Sequence, residues 1–450
     1  MAEHLRSIGL DIGTTTTQLI VSELGITNQA SAFSVPELEI TQRRILYRSP
    51  VYFTPLLQGE LVDGAAIRQI VETEYRSAGI TKDSVDTGAV IITGETSRKE
   101  NARAVLHALS DFAGDFVVAT AGPNLESILA AKGSGAVAYS QRTGKTLLHI
   151  DIGGGTSNLA LIEDGTIIAT GCMNVGGRLI RLDEAGCICY ISPVVRDLFS
   201  GQLGQIPTVQ QLQQLADTLV SALEMVAGLR PQTDLFSKLW TAESSHAAPH
   251  FPCPANKPPV ISFSGGVADC IAESHTDFAF ADLGPILGRA IRRSRLCQGK
   301  YHIGTETIGA TVIGAGSHSA QLSGSTVFHQ NIPFPLKNLP VVKDVALLSH
   351  LDGPGILALP GLDAPTYEDI TRFARQILTS WPNSPIYLAM ETDMAKALGG
   401  YLALHLPKDA PILCIDRVCL EEGHYLDVGA PVCTALPVVV KTLVLGHGRT

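Results

Sequence analysis

Ile8-Gly9-Leu10-Asp11-Ile12-Gly13-Thr14-Thr15-Thr16-Thr17-Gln18-Leu19 and Leu148-His149-Ile150-Asp151-Ile152-Gly153-Gly154-Gly155-Thr156-Ser157-Asn158-Leu159 spell one pattern twice. Each is a short apolar run, an Asp, a glycine turn crowded with Thr, Ser or Gly, and a second apolar run. This predicts a strand, a tight turn and an antiparallel return strand. A duplicated hairpin predicts two facing lobes. Turns of this composition point backbone N–H groups and hydroxyls inward, an environment suited to phosphate oxygens, and an Asp at a strand end can hold a hydrated divalent cation. The expected site is a cleft that grips the phosphates of a magnesium nucleotide from both sides.

The rest of the chain is read around that cleft. At 450 residues it is too long for one hydrophobic core. Its 43 glycines suit α/β units with many tight turns. A net charge of −10 argues against nucleic acid as a partner, because neutralising a phosphate backbone needs clustered Lys and Arg. The one local basic group, Arg289, Arg292, Arg293 and Arg295, reads as a solvated helix face. No apolar run is long and uninterrupted enough for a membrane helix, and the start of the chain lacks a secretory pattern. Nine cysteines at irregular spacing fit reduced thiols, so the expected location is the cytoplasm.

Between the hairpins, Asp63 to Ser77 reads as a helix with Asp63 as its N-cap, and Gly88 to Thr93 as a buried strand. A helix is expected to follow that strand, through Leu109. Phe116 to Thr120 reads as another strand, and Asn124 to Ala131 as a helix running into a small-residue stretch. Beyond the second hairpin, Gln210 to Ala227 reads as an amphipathic helix. Thr241 to Pro259, with five prolines, reads as a surface loop. Val260 to Phe263 is a strand that delivers Ser264-Gly265-Gly266-Val267 into a turn. Ile303 through Leu322 reads as one helix rich in small residues. From about 328, after a Pro-rich join, helices at Thr366 to Thr379 and Asp393 to Leu406 alternate with strands, including one at Val438 to Leu445. The expected division is therefore 1–146, 147–327 and 328–450, the last a small α/β domain without a catalytic motif.

Taken in order, Asp-x-Gly-Thr-Thr, a small-residue helix, Asp-x-Gly-Gly-Gly-Thr, a Ser-Gly-Gly turn and a second small-residue helix resemble the actin, hexokinase and 70-kDa heat-shock ATPase superfamily over roughly residues 5 to 325. The resemblance implies a fold of two duplicated lobes around a nucleotide cleft. By position it implies a first phosphate loop at Asp11, Gly13, Thr14, Thr15 and Thr16, and a second at Asp151, Gly153, Gly154, Gly155 and Thr156. Asp11 and Asp151 would be the Mg2+ residues. Gly265 and Gly266 would pass the backbone close under the adenosine, with Ser264 supporting that turn. Glu126, in the first connecting helix, and Glu95, just past a strand end, are alternative acids for the metal or the attacking water. The superfamily does not decide between them.

Within that superfamily the whole chain resembles the large reactivating factors of ethanolamine ammonia-lyase. The phrases that carry this are Ile8 to Gln18, Ile92 to Ala102, Thr120 to Ser127, Ile150 to Leu159, Asn174-Val175-Gly176-Gly177-Arg178 and Ile415-Asp416-Arg417-Val418. This implies an ATP- and Mg2+-dependent factor that lets a damaged cobalamin leave the adenosylcobalamin-dependent lyase and an intact one enter. The partner is then the lyase. Cobalamin would be met through it, since the chain lacks an Asp-x-His-x-x-Gly sequence. Oligomerisation and association with a bacterial microcompartment stay open. Rival readings are a small-molecule kinase of the same fold, an actin-type nucleotide-dependent scaffold, and an iron–sulfur activator, for which Cys253, Cys270 and Cys297 lack a C-x-x-C pattern. Zinc at His246, His250 and Cys253 would lack a fourth ligand, and Cys187 and Cys189 form only a C-x-C pair.

Overall fold

A computed structural model describes residues 3–442 apart from 14–15, 29–37, 58–60, 82–83, 86, 94–116, 121–122, 242–250, 255, 257, 319, 323–326, 352, 363–364, 382–384, 421, 423, 430 and 432–435. Both hairpins form as their sequences require. Glu3–Ile12 pairs antiparallel with Thr16–Asn28, setting Asp11 opposite Gln18. Leu147–Ile152 pairs antiparallel with Ser157–Glu163, setting Asp151 opposite Asn158. The same hydrogen bond closes each tip: Gly13 N–H donates to the Thr16 carbonyl at 2.9 Å, and Gly153 N–H to the Thr156 carbonyl at 3.0 Å.

The sheets built on the hairpins match over five strands, and the first carries Tyr52–Phe53 as an extra strand beside Thr16–Asn28. The first runs Leu38–Arg48, Thr16–Asn28, Glu3–Ile12, Thr87–Ile92, Val117–Thr120; the second runs Thr166–Met173, Ser157–Glu163, Leu147–Ile152, Val260–Ser264, Tyr301–Ile303. In both, the first two junctions are antiparallel and the last two parallel. Central strands covered on both faces must be apolar throughout, and every residue of Leu147–Ile152 is buried. This twofold repeat is the actin-like fold that the resemblance implied.

Local chemistry sets the helix ends. Asp63 accepts from Ala66 N–H at 3.0 Å to start Gly64–Ala78, and Gly79, at φ 65°, ends it. Thr208 and Gln211 form a capping box at the head of Val209–Val226, which buries Leu212, Leu215, Leu219 and Leu223 in the core of the second sheet. Pro123–Gly133 and Ala310–His318 cross so closely that a Cβ on Gly133 would lie 1.8 Å from the Ala310 carbonyl oxygen, and one on Gly314 2.0 Å from that of Leu129. Glycine is obligatory at both.

The expected single helix over 303–322 is corrected. Tyr301–Ile303 is a strand beside Val260–Ser264, the helix covers only Ala310–His318, and Ala320–Leu322 is again a strand. Sheet pairing at both ends overrides the small-residue pattern. Gly304 N–H donates to the Phe263 carbonyl, and Thr305 N–H to that of Ser134. The helix expected through Leu109 lies outside the described residues, as does the end of the strand expected at Val438 to Leu445, whose described part is Pro437–Thr442.

Ala320–Leu322 opens a third sheet of eight strands, continuing Pro437–Thr442, His424–Val428, Leu336–Val342, Ile356–Leu359, Ile386–Met390, Ile412–Ile415 and Phe328–Gln330. Tyr367–Ser380, capped by Thr366 with Asp369, and Ala395–His405 pack on one face of it. Among the described residues no helix is long and apolar enough to cross a membrane.

Candidate nucleotide cleft

The two tips open into one cavity of about 590 Å³, within the range of small-molecule sites. Asp11, Gly13 and Thr16 line it from the first hairpin, and Asp151, Gly153, Gly154, Gly155 and Thr156 from the second. Gly265, Gly266 and Glu126 line it too. Of the residues singled out from sequence, Thr14, Thr15 and Glu95 lie outside the described residues. Ser264 lies behind the wall.

Each aspartate sits where a strand ends, so its carboxyl faces the cleft while its backbone stays in the sheet. Burial pushes the Asp11 carboxyl up to about 7; the hydrogen bond from Thr93 Oγ1 to its Oδ1, at 2.9 Å, opposes the shift, and the negative charge of Asp151 adds to it. Burial likewise pushes Asp151 up to about 6, against a hydrogen bond donated by Ser264 Oγ to its Oδ1. Two such carboxylates, one raised by the charge of the other, suit a divalent cation. Among the described residues no group of three or more His, Cys, Asp or Glu is placed to hold a metal ion. The paired carboxylates of Asp11 and Asp151 fit Mg2+, which keeps several waters and takes one or two carboxylates plus phosphate oxygens.

Ser264 does more than support a turn. Its Oγ lies 2.9 Å from His149 Nε2, and His149 Nδ1 lies 3.1 Å from Ser262 Oγ, all fully buried. Ser264 spends its one proton on the carboxylate, so Nε2–H is the donor to Ser264 and Nδ1 accepts from Ser262. Burial, aided by the charge of His302, holds His149 down at about 3, so the ring is neutral. A hydroxyl–imidazole–hydroxyl chain thus runs from the core of the second sheet to the cleft. His149 stood inside the quoted hairpin; its Nε2 also lies 3.2 Å from Ser134 Oγ, while Ser262 and Ser264 are more than a hundred residues away, where no local signal reveals them.

The glycine turn after Ser264 has a reason within the fold itself. Gly265 has φ 83°, and a Cβ there would sit 2.3 Å from the Ile152 carbonyl oxygen, so contact with the second hairpin requires glycine. A Cβ on Gly266 would meet only Ile308, at 3.8 Å, and space toward the cavity stays open. Beyond this turn the cavity runs along Gly266–Ala272 to Asp269, Glu273, His275 and Phe280.

Arg178 also lines the cleft, quoted above in Asn174–Arg178 but given no role. Its backbone N–H donates to the Gly154 carbonyl at 2.6 Å, and that of Gly177 to Gly153 at 3.0 Å, which ties this segment to the second tip. Its Nε donates to Asp282 Oδ2 at 3.1 Å. Arg289 pairs with Asp277, Arg293 bonds Gln213 and Arg295 bonds the Leu229 carbonyl. Cys253 is a buried thiol pushed up to about 11 by that burial, which does not suit a metal thiolate, while His246 and His250 lie outside the described residues.

The family model for Ethanolamine utilisation protein EutA matches residues 3–350 and 346–446. The protein named ethanolamine ammonia-lyase reactivase EutA in Salmonella typhimurium strain LT2 is 37% identical over 98% of this chain and 98% of its own length. The one of the same name in Escherichia coli K12 is 36% identical, with the same coverage of both. Among solved structures, the PPX-GPPA enzyme of Aquifex aeolicus is similar with a TM-score of 0.43 and 12% identity, over 69% of this chain and 99% of that one. With its family model matched from one end to the other and more than a third of its residues shared with both relatives, the chain belongs to the EutA family.

Proposed function

We propose that the chain is an ATP- and Mg2+-dependent reactivating factor for adenosylcobalamin-dependent ethanolamine ammonia-lyase. It promotes the exchange of damaged cobalamin on the lyase for intact cofactor and works as an ATPase. Membership in the EutA family supports the partner and the task. The observation that carries the nucleotide reading is the convergence of Asp11 and Asp151, at matched tips, on one cavity.

In this reading the hairpin tips offer the polyphosphate their backbone N–H groups together with the Thr16 and Thr156 hydroxyls. Asp11 and Asp151 would hold hydrated Mg2+, which when bound neutralises phosphate charge. Glu126, half-buried at the cavity wall, orients a water and accepts its proton as the water oxygen bonds to the terminal phosphorus. The bond from that phosphorus to the bridging oxygen breaks, leaving ADP and phosphate. Glu95 is the alternative acid for this task.

A nucleotide that spans the two tips makes different contacts in the open and closed states, and cleavage severs the link between the tips. Only such differential affinity shifts a conformational equilibrium. A tenfold shift in the open population of a bound lyase requires about 1.4 kcal/mol. In this reading residues 328–450 or the region around 180–258 supply the surface that meets the lyase, and the factor works in the cytoplasm.

The test is to incubate cyanocobalamin-blocked lyase with this protein, fresh adenosylcobalamin, ATP and Mg2+. Recovery of deamination that needs all four components supports the reading; recovery that is the same without ATP, or none at all, overturns it.

A further inference from the structure

The charged groups lining the cleft are almost all acidic. Asp11, Glu126, Asp151, Asp269, Glu273 and Asp282 face it, and among the described lining residues Arg178 is the sole Lys or Arg. Such a cavity repels a polyphosphate. One divalent cation offsets part of that repulsion, and the protein supplies one further positive charge.

The setting of Arg178 says where that charge acts. The backbone of Arg178 is fastened to Gly154 at the second tip. Its guanidinium lies 5.0 Å from the centre of the Phe53 ring, and Phe53 pairs through its backbone with Thr16 at the first tip. The residue therefore spans the two tips, one end held by each. Phe53 is 72% exposed, so no core packing holds its ring in place; the guanidinium does. Among the described residues the guanidinium donates a hydrogen bond through Nε alone, to Asp282, and this fixes its plane. Both terminal amino groups keep their donors available for an anion.

We propose that Arg178 binds the terminal phosphate of the nucleotide, steadied by Asp282 in its own lobe and by Phe53 from the opposite one. This rests on the nucleotide reading given above and names a contact for it. Because Phe53 belongs to the first lobe, its contact with the guanidinium is made only while the tips are close together, whereas Asp282 holds the guanidinium plane in either case. Loss of the terminal phosphate removes its ligand and leaves the Phe53 contact as the remaining link.

Isothermal titration of the full-length protein with the imido analogue of ATP and with ADP, each with Mg2+, tests this. Arg178→Gln is expected to weaken the analogue about tenfold or more, the usual scale for a lost charge-assisted bond, and ADP by less than twofold. Arg178→Lys should recover part of the loss. Equal weakening of both nucleotides, or of neither, overturns the proposal. Phe53→Ala, which removes an exposed ring, should weaken the analogue about fivefold at an unchanged thermal midpoint; wild-type affinity would overturn the cross-lobe support even if Arg178→Gln failed to fold. If the wild-type protein bound neither nucleotide, the underlying reading itself would fail, an outcome distinct from all of these.

Discussion

The two hairpins share a backbone and differ in what stands behind it. Asp151 is 6% exposed and is backed by Ser264, His149 and Ser262 in an unbroken buried chain. Asp11 is half-buried and takes one hydroxyl, from Thr93. The second tip is thus fixed from within its sheet. The first has a looser hold on its carboxyl, and that carboxyl carries the larger upward shift. Duplication copied the strand path and left each copy to build its own support. The first tip has its own tie, from Thr54 Oγ1 to the Gly13 carbonyl at 2.7 Å, but none behind its carboxyl beyond Thr93. In the nucleotide reading the firmly backed Asp151 would set the position of a ligand and Asp11 would adjust to it.

The largest expected effect would break the comparison outright. Asp11→Ala and Asp151→Ala should each abolish Mg2+-dependent phosphate release, by about a thousandfold or more, since each removes half of the cation's protein ligands. If one of the two kept substantial turnover, the tips would not be equal partners around one cation. Next in size, Glu126→Gln should lower kcat about a hundredfold with little change in KM, the signature of a lost general base; an unaffected kcat would hand the role to Glu95.

Support behind the tips comes third. Ser264→Ala leaves an Asp151 carboxylate oxygen short of a partner in a buried site, and the His149 N–H with Ser134 Oγ alone, which costs about 1–3 kcal/mol. Thr93→Val should cost less, because Asp11 is the more accessible carboxyl. Chemical denaturation of both variants ranks them, and the reverse order would contradict the firmer backing of Asp151. The smallest effect is a pH dependence. Both aspartates bind protons more readily folded than unfolded, so without a divalent cation their contribution to stability is full below the ordinary carboxylate range. It is lost as pH rises through about 6 to 7. The thermal midpoint of metal-free protein should therefore fall between pH 5 and pH 8, Asp11→Asn should flatten the fall, and Mg2+ should raise the midpoint at pH 8. His149 opposes part of this slope: it stays neutral in the folded chain but is protonated in the unfolded chain below about 6.5, so its own contribution to stability rises with pH up to that point and is level above it.

What could be read from sequence was local. Asp63 as a cap, the apolar strands and the paired Asp-Ile-Gly turns each carry their signal within a dozen residues, and each stands where expected. The stretch 303–322 was misread because its small residues fit a helix, whereas strands 40 and more than 100 residues distant claim its two ends. Ser264 was chosen for its glycine neighbours, yet its hydroxyl serves Asp151. Arg178 sat in a quoted phrase without a role, since only the fold sets it beside Phe53 and a ring of carboxylates.

The crossing of Pro123–Gly133 with Ala310–His318 has one more consequence. Where Gly133 and Gly314 meet the opposing helix, its carbonyls rest on bare Cα, with Leu125, Leu129 and Ala315 packed beside the crossing. Were the lobes to turn on each other, this joint would be their fulcrum, since a methyl group at either glycine would hold the helices apart. A few degrees of rotation there would become a stroke of ångströms at the far rim of each lobe.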